Sequence, residues 1–287
     1  MKKSANSGMH SGRVGRTRYP MEENIAFLAY LGFEVLDINF SASIYEGEEK
    51  IDVTLPTDGW KENVRAIGRE AGKRGMRIRQ SHLPFYEYWN PGLEKAEFML
   101  EMVRRALEAS AMLGVEWAVL HPSRFPDAQE AERATREYLD PLMEEAERLG
   151  VGIAVENMTR KGTYGSDAAT LCRLVDGFGP RAGICWDTGH ANLSGISQAE
   201  SLRAVGDRLK CLHVHDNFGK GDDHRPPFMG TVDWREVMRA LREIGYRGDL
   251  NFEVNATNLP ERMRVVHGEY VTRAADVLIA MFEGVEP

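Results

Sequence analysis

Between Cys211 and Trp234 the chain reads CLHVHDNFGKGDDHRPPFMGTVDW, and three histidines and three aspartates fall within the twelve residues from His213 to His224. Cys211, His213 and His215 alternate with apolar Leu212 and Val214, the period-two signature of a strand with one polar face. A polar, glycine-bearing loop follows. Imidazoles at strand spacing, placed where a strand ends, suit metal ligation or proton transfer. The plainer alternative is a strand with two hydrogen-bonded histidines and a solvated loop.

Such residues need a frame. The chain has 287 residues, enough for two ordinary domains or one α/β barrel. A composition of 43% hydrophobic and 28% charged residues is that of a soluble globular protein, and no apolar run approaches a membrane span. The N-terminal stretch MKKSANSGMHSGRVGRTRYP lacks the apolar segment of a secretory signal, so residues 1–18 read as a tail and the location as cytoplasmic by default. Cys172, Cys185 and Cys211 are too few and too scattered for a disulfide framework. A net charge of −8 disfavours a dedicated nucleic-acid binder, which needs a basic face.

Helical and strand-like segments alternate along the chain. Helices are expected at Met21–Leu31, Lys61–Lys73, Glu94–Leu113, Ala128–Leu149, Asp167–Phe178, Gln198–Leu209, Val232–Ile244 and Tyr270–Phe282, several closed by a glycine such as Gly114 or Gly150. Between them lie the strand-like runs FEVLDINF (Phe33–Phe40), MRIRQSH (ending at His82), VEWAVLHP (at His121), VGIAVEN (at Glu156), AGICWD (at Asp187), the run to His215, and GDLNFE (at Glu253). Seven strand–helix units imply parallel strands joined by crossover helices. With an eighth strand from Arg13–Tyr19 the sheet closes into a single (β/α)₈ TIM barrel over residues 19–287. The alternative, an open doubly wound sheet, lacks its glycine-rich phosphate fingerprint, so no nucleotide cofactor is expected.

A parallel barrel carries its active site at the C-terminal strand ends. Those ends are His82, His121, Glu156, Asp187, His213 and Glu253, with His190 three residues past Asp187 and Asp222 and His224 in the loop after His213. Singly, His82 or His121 could hydrogen-bond backbone, Glu156 could cap a helix and Asp222 could be solvated. Together they form a constellation. Glu156, Asp187, His213 and Glu253 close four consecutive strands. Three carboxylates and one imidazole suit Mn²⁺, Mg²⁺, Co²⁺ or Zn²⁺ with open positions, and the absence of thiolate argues against a structural zinc site. Cys185 and Cys211, two residues before a proposed ligand, should point inward about 6.6 Å deeper, as core.

The segments HLP at His82, LHP at His121, VEN at Glu156, WDTGH from Trp186, LHVHDN from Leu212, Asp222-x-His224, Gly230 with Trp234, and FE at Glu253 resemble the xylose-isomerase-like barrel superfamily. It unites sugar and sugar-phosphate isomerases and epimerases, inosose dehydratases and endonuclease-four-type apurinic endonucleases. The resemblance runs from about Tyr19 to the end of the chain. For the epimerases it implies an ion held by Glu156, Asp187, His213 and Glu253, with Glu156 and Glu253 also the acid/base pair. The ion polarises a carbonyl and its neighbouring hydroxyl while one glutamate removes the proton from the adjacent carbon and the other returns it. His190 and His215 would orient substrate oxygens, and His215 is the reserve for His213. The chain departs from the tagatose-epimerase-like members, whose arginine after the seventh strand is replaced by Asn217, Phe218 and Gly219, leaving Lys220 or Arg225 to grip a carbohydrate.

A second implication competes. His82, His121, Glu156, Asp187, His190, His213, Asp222, His224 and Glu253 match, position by position, the nine ligands of the trinuclear zinc site of endonuclease-four-type enzymes. Against it, the loop Ser41–Pro56 is acidic, and the basic residues from Lys61 to Arg79 sit far from the barrel mouth. Phe85 and Trp89 in the loop FYEYWNP could cover a sugar face, stack on a base or form a plain lid. Arg262 and Arg264 could meet a phosphate or be surface charges. A barrel that binds a ligand without catalysis is the third reading, disfavoured because both candidate glutamates are present. The expected partner is a small carbohydrate, with no membrane association and room for a homo-oligomer.

Overall fold

The computed structural model describes residues 1–10, 19–41, 55–85, 95–159 and 162–285. Eight parallel strands form its centre: β1 (Lys3–Asn6), β2 (Val35–Asn39), β3 (Arg77–His82), β4 (Trp117–Leu120), β5 (Gly152–Glu156), β6 (Ala182–Asp187), β7 (Leu209–His213) and β8 (Leu250–Phe252). Their order is β7-β6-β5-β4-β3-β2-β1-β8. A single parallel bridge between Val214 and Phe252 closes the ring, with Val214 N donating to Asn251 O at 2.8 Å and Glu253 N to Val214 O at 3.3 Å. Closure therefore falls between the expected ligands His213 and Glu253.

The first strand corrects the sequence expectation. It is Lys3–Asn6, inside the stretch read as a tail, and it pairs with both β2 and β8. Of Arg13–Tyr19, proposed for that strand, residues 13–18 lie outside the described residues and Tyr19 lies in no strand. The tetrapeptide KSAN escaped detection because Ser4 and Asn6 belong to a polar part of the barrel interior, where no apolar period marks a strand.

Crossover helices surround the barrel: α1 (Met21–Tyr30), α2 (Trp60–Lys73), α3 (Ala96–Leu113), α4 (Ala128–Leu149), α5 (Ala168–Val175), α6 (Thr188–Ser194), α7 (Gln198–Val205), α8 (Trp234–Glu243) and α9 (Arg264–Glu283). Asp127, Asp167, Ser197 and Asp233 cap α4, α5, α7 and α8 by accepting a backbone N–H three residues on. Gly114 and Gly150 end α3 and α4 in the left-handed conformation (φ 74° and 76°) that glycine adopts without strain. No described helix is long and apolar enough to cross a membrane.

Val119, Ala154, Cys185 and Cys211 form a separate buried layer inside β4–β7. Each precedes by two residues a chemically competent side chain, His121, Glu156, Asp187 or His213. Because a strand repeats its facing every second residue, this apolar layer is the floor on which the polar cluster stands. Both cysteines are buried and free, as core residues should be.

Candidate active site

Glu156, at the end of β5, is the hub. Its Oε2 lies 3.0 Å from His121 Nε2 and 3.2 Å from His82 Nε2, and its Oε1 lies 3.0 Å from His213 Nδ1. His213 Nδ1 is also 3.2 Å from Glu253 Oε2 and 3.9 Å from Asp187 Oδ2. Glu156, Asp187, His213 and Glu253 each offer one ligand atom, and these atoms all lie within 4.8 Å of one another. Asp187 also caps α6, its Oδ1 accepting from His190 N at 2.7 Å, which turns His190 back over the strand ends. This helix of seven residues, which begins within WDTGH and runs to Ser194, is too brief for periodicity to reveal.

The loop after β7 is held from below by Asp216, whose carboxylate accepts from the backbone N–H groups of Asn217, Phe228 and Val232 and from Trp234 Nε1. That clamp delivers Asp222 and His224 to the mouth. Asp222 Oδ2 stands 3.3 Å from His190 Nε2 and 3.4 Å from His224 Nε2. His215 lies behind them, 2.9 Å from Asp187 Oδ1 and stacked on His224 with ring centroids 4.0 Å apart. His213 thus faces the two glutamates, while His215 supports Asp187.

Electrostatics bind the cluster together. Burial opposes the ionised carboxyl of Glu156, but His213 and His121 hold it well below the usual range. Asp187 is lowered likewise against its burial, by His190 and His215. Burial also opposes the imidazolium of His190, yet Asp187, Asp222 and Glu156 raise it to about 10. His224 rises against burial to about 9 through Asp222 and Glu253. Carboxylates buried at this density require cations or protons among them.

The donor set fits a divalent metal. His82, His190 and His224 each donate Nδ1–H to a backbone carbonyl, of Leu83, Asn157 and Glu253, at 2.8, 2.8 and 2.7 Å. Their tautomer is thereby set and Nε2 is turned into the cluster, the arrangement that orients a metal-ligating imidazole. Asp187, His190 and His215 form a second such grouping, His215, Asp222 and His224 a third, and His82, His121 and Glu156 a fourth.

A cavity of about 240 Å³ opens above, lined by His82, Phe85, His121, Glu156, His190, Asp222, His224 and Glu253. Phe85 packs against His82 and His121 with centroids 4.7 Å away in both cases. Trp89 lies outside the described residues. Lys220 and Arg225 do not line this cavity: Arg225 pairs with Asp223 and covers the Phe218 ring. Arg264 is packed between Tyr19 and Phe27 rather than turned to the mouth. Sequence reading passed over Arg124, Met158 and Thr159, which line the cavity from the loops after β4 and β5. Their signal was position alone, three residues past His121 and two or three past Glu156. It also passed over Asp37, the second of two acids in the run FEVLDINF.

Among known proteins, an uncharacterized protein of Sinorhizobium fredii is 29% identical over 192 residues, 64% of this chain and 60% of its own length. An L-ribulose 3-epimerase of Methylomonas sp. is 30% identical over 152 residues, 52% of this chain and 51% of its own. A probable endonuclease 4 of Acholeplasma laidlawii is 25% identical over 235 residues, 75% of this chain and 80% of its own. The chain spans about three fifths of the length of the first two curated relatives it matches, at 60% and 62%. The solved structure of a D-tagatose 3-epimerase-like protein superposes with a TM-score of 0.78 at 23% identity, covering 99% of this chain and 98% of the other, a likeness of fold. A family model described as xylose isomerase-like TIM barrel matches residues 25–275, and the chain belongs to that family.

Proposed function

We propose that this protein is a divalent-metal-dependent isomerase or epimerase of a small sugar, sugar phosphate or related polyol-ketone. The observation that carries the reading is that Glu156 and Glu253 both approach His213 Nδ1, at 3.0 and 3.2 Å. Two carboxylates beside one ligand position can address opposite faces of a small ligand held there. Glu156, Asp187, His213 and Glu253 would hold the ion, which when bound polarises a carbonyl and an adjacent hydroxyl. Glu253, whose side chain is 17% exposed, faces the cavity as the base that takes the proton from the carbon beside the carbonyl. Glu156 returns it from the opposite side. His190 and His224 lie within reach of hydroxyl oxygens, and Phe85 covers the apolar face of the ring. The names of the relatives support the substrate class, since L-ribulose and D-psicose 3-epimerases are among them. A cytoplasmic location belongs to the same proposal.

A second reading is a trinuclear-zinc phosphodiesterase of the apurinic endonuclease type. It is favoured by the backbone-fixed imidazoles of His190 and His224, which a single ion at His213 does not use. The basic stretch weighs against it. Lys61 pairs with Glu108, Arg69 with Glu62 and Arg74 with Glu70 on the outer helices. Arg79 pairs with Glu116 and Asp249 at the opposite end of the barrel. Those charges are neutralised away from the mouth, where a DNA backbone would need them.

The test is a metal count on purified protein combined with a panel of ketoses, ketose phosphates and inososes. One Mn²⁺-type ion per chain and epimerised or isomerised product support the proposal. Three zinc ions per chain with tight, salt-sensitive binding of abasic duplex DNA reverse it.

A further inference from the structure

The two halves of the barrel interior differ. Against the apolar layer of β4–β7 stands a buried polar belt from the other strands: Ser4 and Asn6 on β1, Asp37 on β2, Gln80 on β3 and Asn251 on β8. Asp37 is at its centre. Its Oδ2 accepts from Asn251 Nδ2 at 2.8 Å, Asn6 Nδ2 at 3.2 Å and Gln80 Nε2 at 3.4 Å, and Ser4 Oγ donates to Asn251 Oδ1 at 3.0 Å. Three neutral amides orient a carboxylate without neutralising it. Among the described residues, the ion-pair partner of Asp37 is His213, with Nε2 3.6 Å from Oδ2. His213 Nε2 and Asp37 Oδ1 are both buried and have no hydrogen-bond partner among the described residues.

His213 is also turned the opposite way from its neighbours. His82, His190 and His224 donate Nδ1–H to backbone carbonyls and present Nε2. His213 presents Nδ1 to Glu156 and Glu253, and among the described residues no carbonyl receives its rear nitrogen. We propose that Asp37 is the positioning residue for His213, keeping the proton on Nε2 so that the Nδ1 lone pair faces the ion. The inference rests on His213 being a metal ligand. A carboxylate behind an imidazole both selects the tautomer and raises its donor strength. With Asn at this position the amide oxygen would take the place of Oδ2, held by the same three amide donors and still facing His213 Nε2, but the negative charge behind the imidazole that raises the donor strength of Nδ1 would be gone.

The experiment is Mn²⁺ titration of the metal-free protein, followed by electron paramagnetic resonance, for wild type, Asp37→Asn and Asp37→Glu. Asp37→Asn should bind Mn²⁺ about 10- to 100-fold more weakly while the melting temperature of the metal-free protein is retained. Asp37→Glu, which keeps the carboxylate and lengthens its reach, should stay within about threefold of wild type. A folded Asp37→Asn variant with wild-type affinity overturns the inference. Wild-type protein that takes up no Mn²⁺ removes the metal reading itself, a distinguishable failure. Should Asp37→Asn not fold, ¹⁵N-histidine spectra of Zn²⁺-loaded wild type decide: a proton on His213 Nε2 is expected, and a proton on Nδ1 contradicts the proposal.

Discussion

His213 and Glu156 face one another across the ends of β7 and β5 at 3.0 Å, with side chains 0% and 1% exposed. A pair so deeply buried is costly unless other charges complete it. Here Glu253, Asp187, His121 and His82 surround it, and the number of carboxylates gathered makes a cation the natural occupant.

Chelation should therefore matter to stability. A ligand that binds only the folded state adds RT ln(1 + [L]/Kd), about 2.7 kcal/mol at a hundredfold excess over Kd. Differential scanning calorimetry should show the melting temperature rising by several degrees with Mn²⁺ and falling back with a chelator. An unchanged melting temperature would argue that these side chains satisfy one another without metal.

The metal-free protein should lose stability on the alkaline side. His190 and His224 have folded values raised to about 10 and about 9 from an ordinary 6.5. For raised values the contribution is complete below 6.5 and is lost as pH climbs through 9 and 10. Urea midpoints in chelator should fall between pH 7 and 10. Asp222→Asn, which removes the carboxylate shared by both imidazoles, should flatten that profile. A profile identical to wild type would exclude Asp222 as the cause.

Gly189 leaves no room for a side chain, because a Cβ there would enter the His215 ring. Gly189→Ala should cost about 1–3 kcal/mol by overpacking. It should also weaken metal uptake, since His215 supports Asp187. Denaturant midpoints together with Mn²⁺ titration check both effects, and a stable variant with unaltered affinity would count against the packing argument.

Asp216 holds the loop that carries Asp222 and His224 through three backbone donors and the Trp234 indole. Asp216→Ala should destabilise the fold by about 3 kcal/mol, as several donors lose a buried charged acceptor together. Hydrogen exchange should localise the added opening to residues 217–233. Uniform loss of protection across the barrel would show that the clamp serves the whole fold instead.

Much of this architecture was legible in the sequence because barrel strands and helices carry different apolar periods, and because strand ends coincide with His121, Glu156 and Asp187. Two kinds of feature were not. Strand β1 is polar on the face where β4–β7 carry an apolar layer, so KSAN carries no period. Asp37 looks like an ordinary interruption of a β-rich run, and only the three-dimensional approach of Asn251 and His213 distinguishes it. Spacing alone also treats His213 and His215 as interchangeable, whereas the structure sets the first against Glu156 and Glu253 and the second behind Asp187. Arg225, expected to grip a substrate, has its guanidinium against Asp223 and over the Phe218 ring.

In the proposed reaction Glu253 moves a proton at the carbon beside the substrate carbonyl. Deuterium incorporation from D₂O into a ketose accepted by the Mn²⁺-loaded wild-type protein, compared with Glu253→Gln, tests it most directly. Incorporation should fall by at least about 100-fold in the variant while the fold is kept. Undiminished exchange in a folded, metal-loaded Glu253→Gln protein would contradict the assignment.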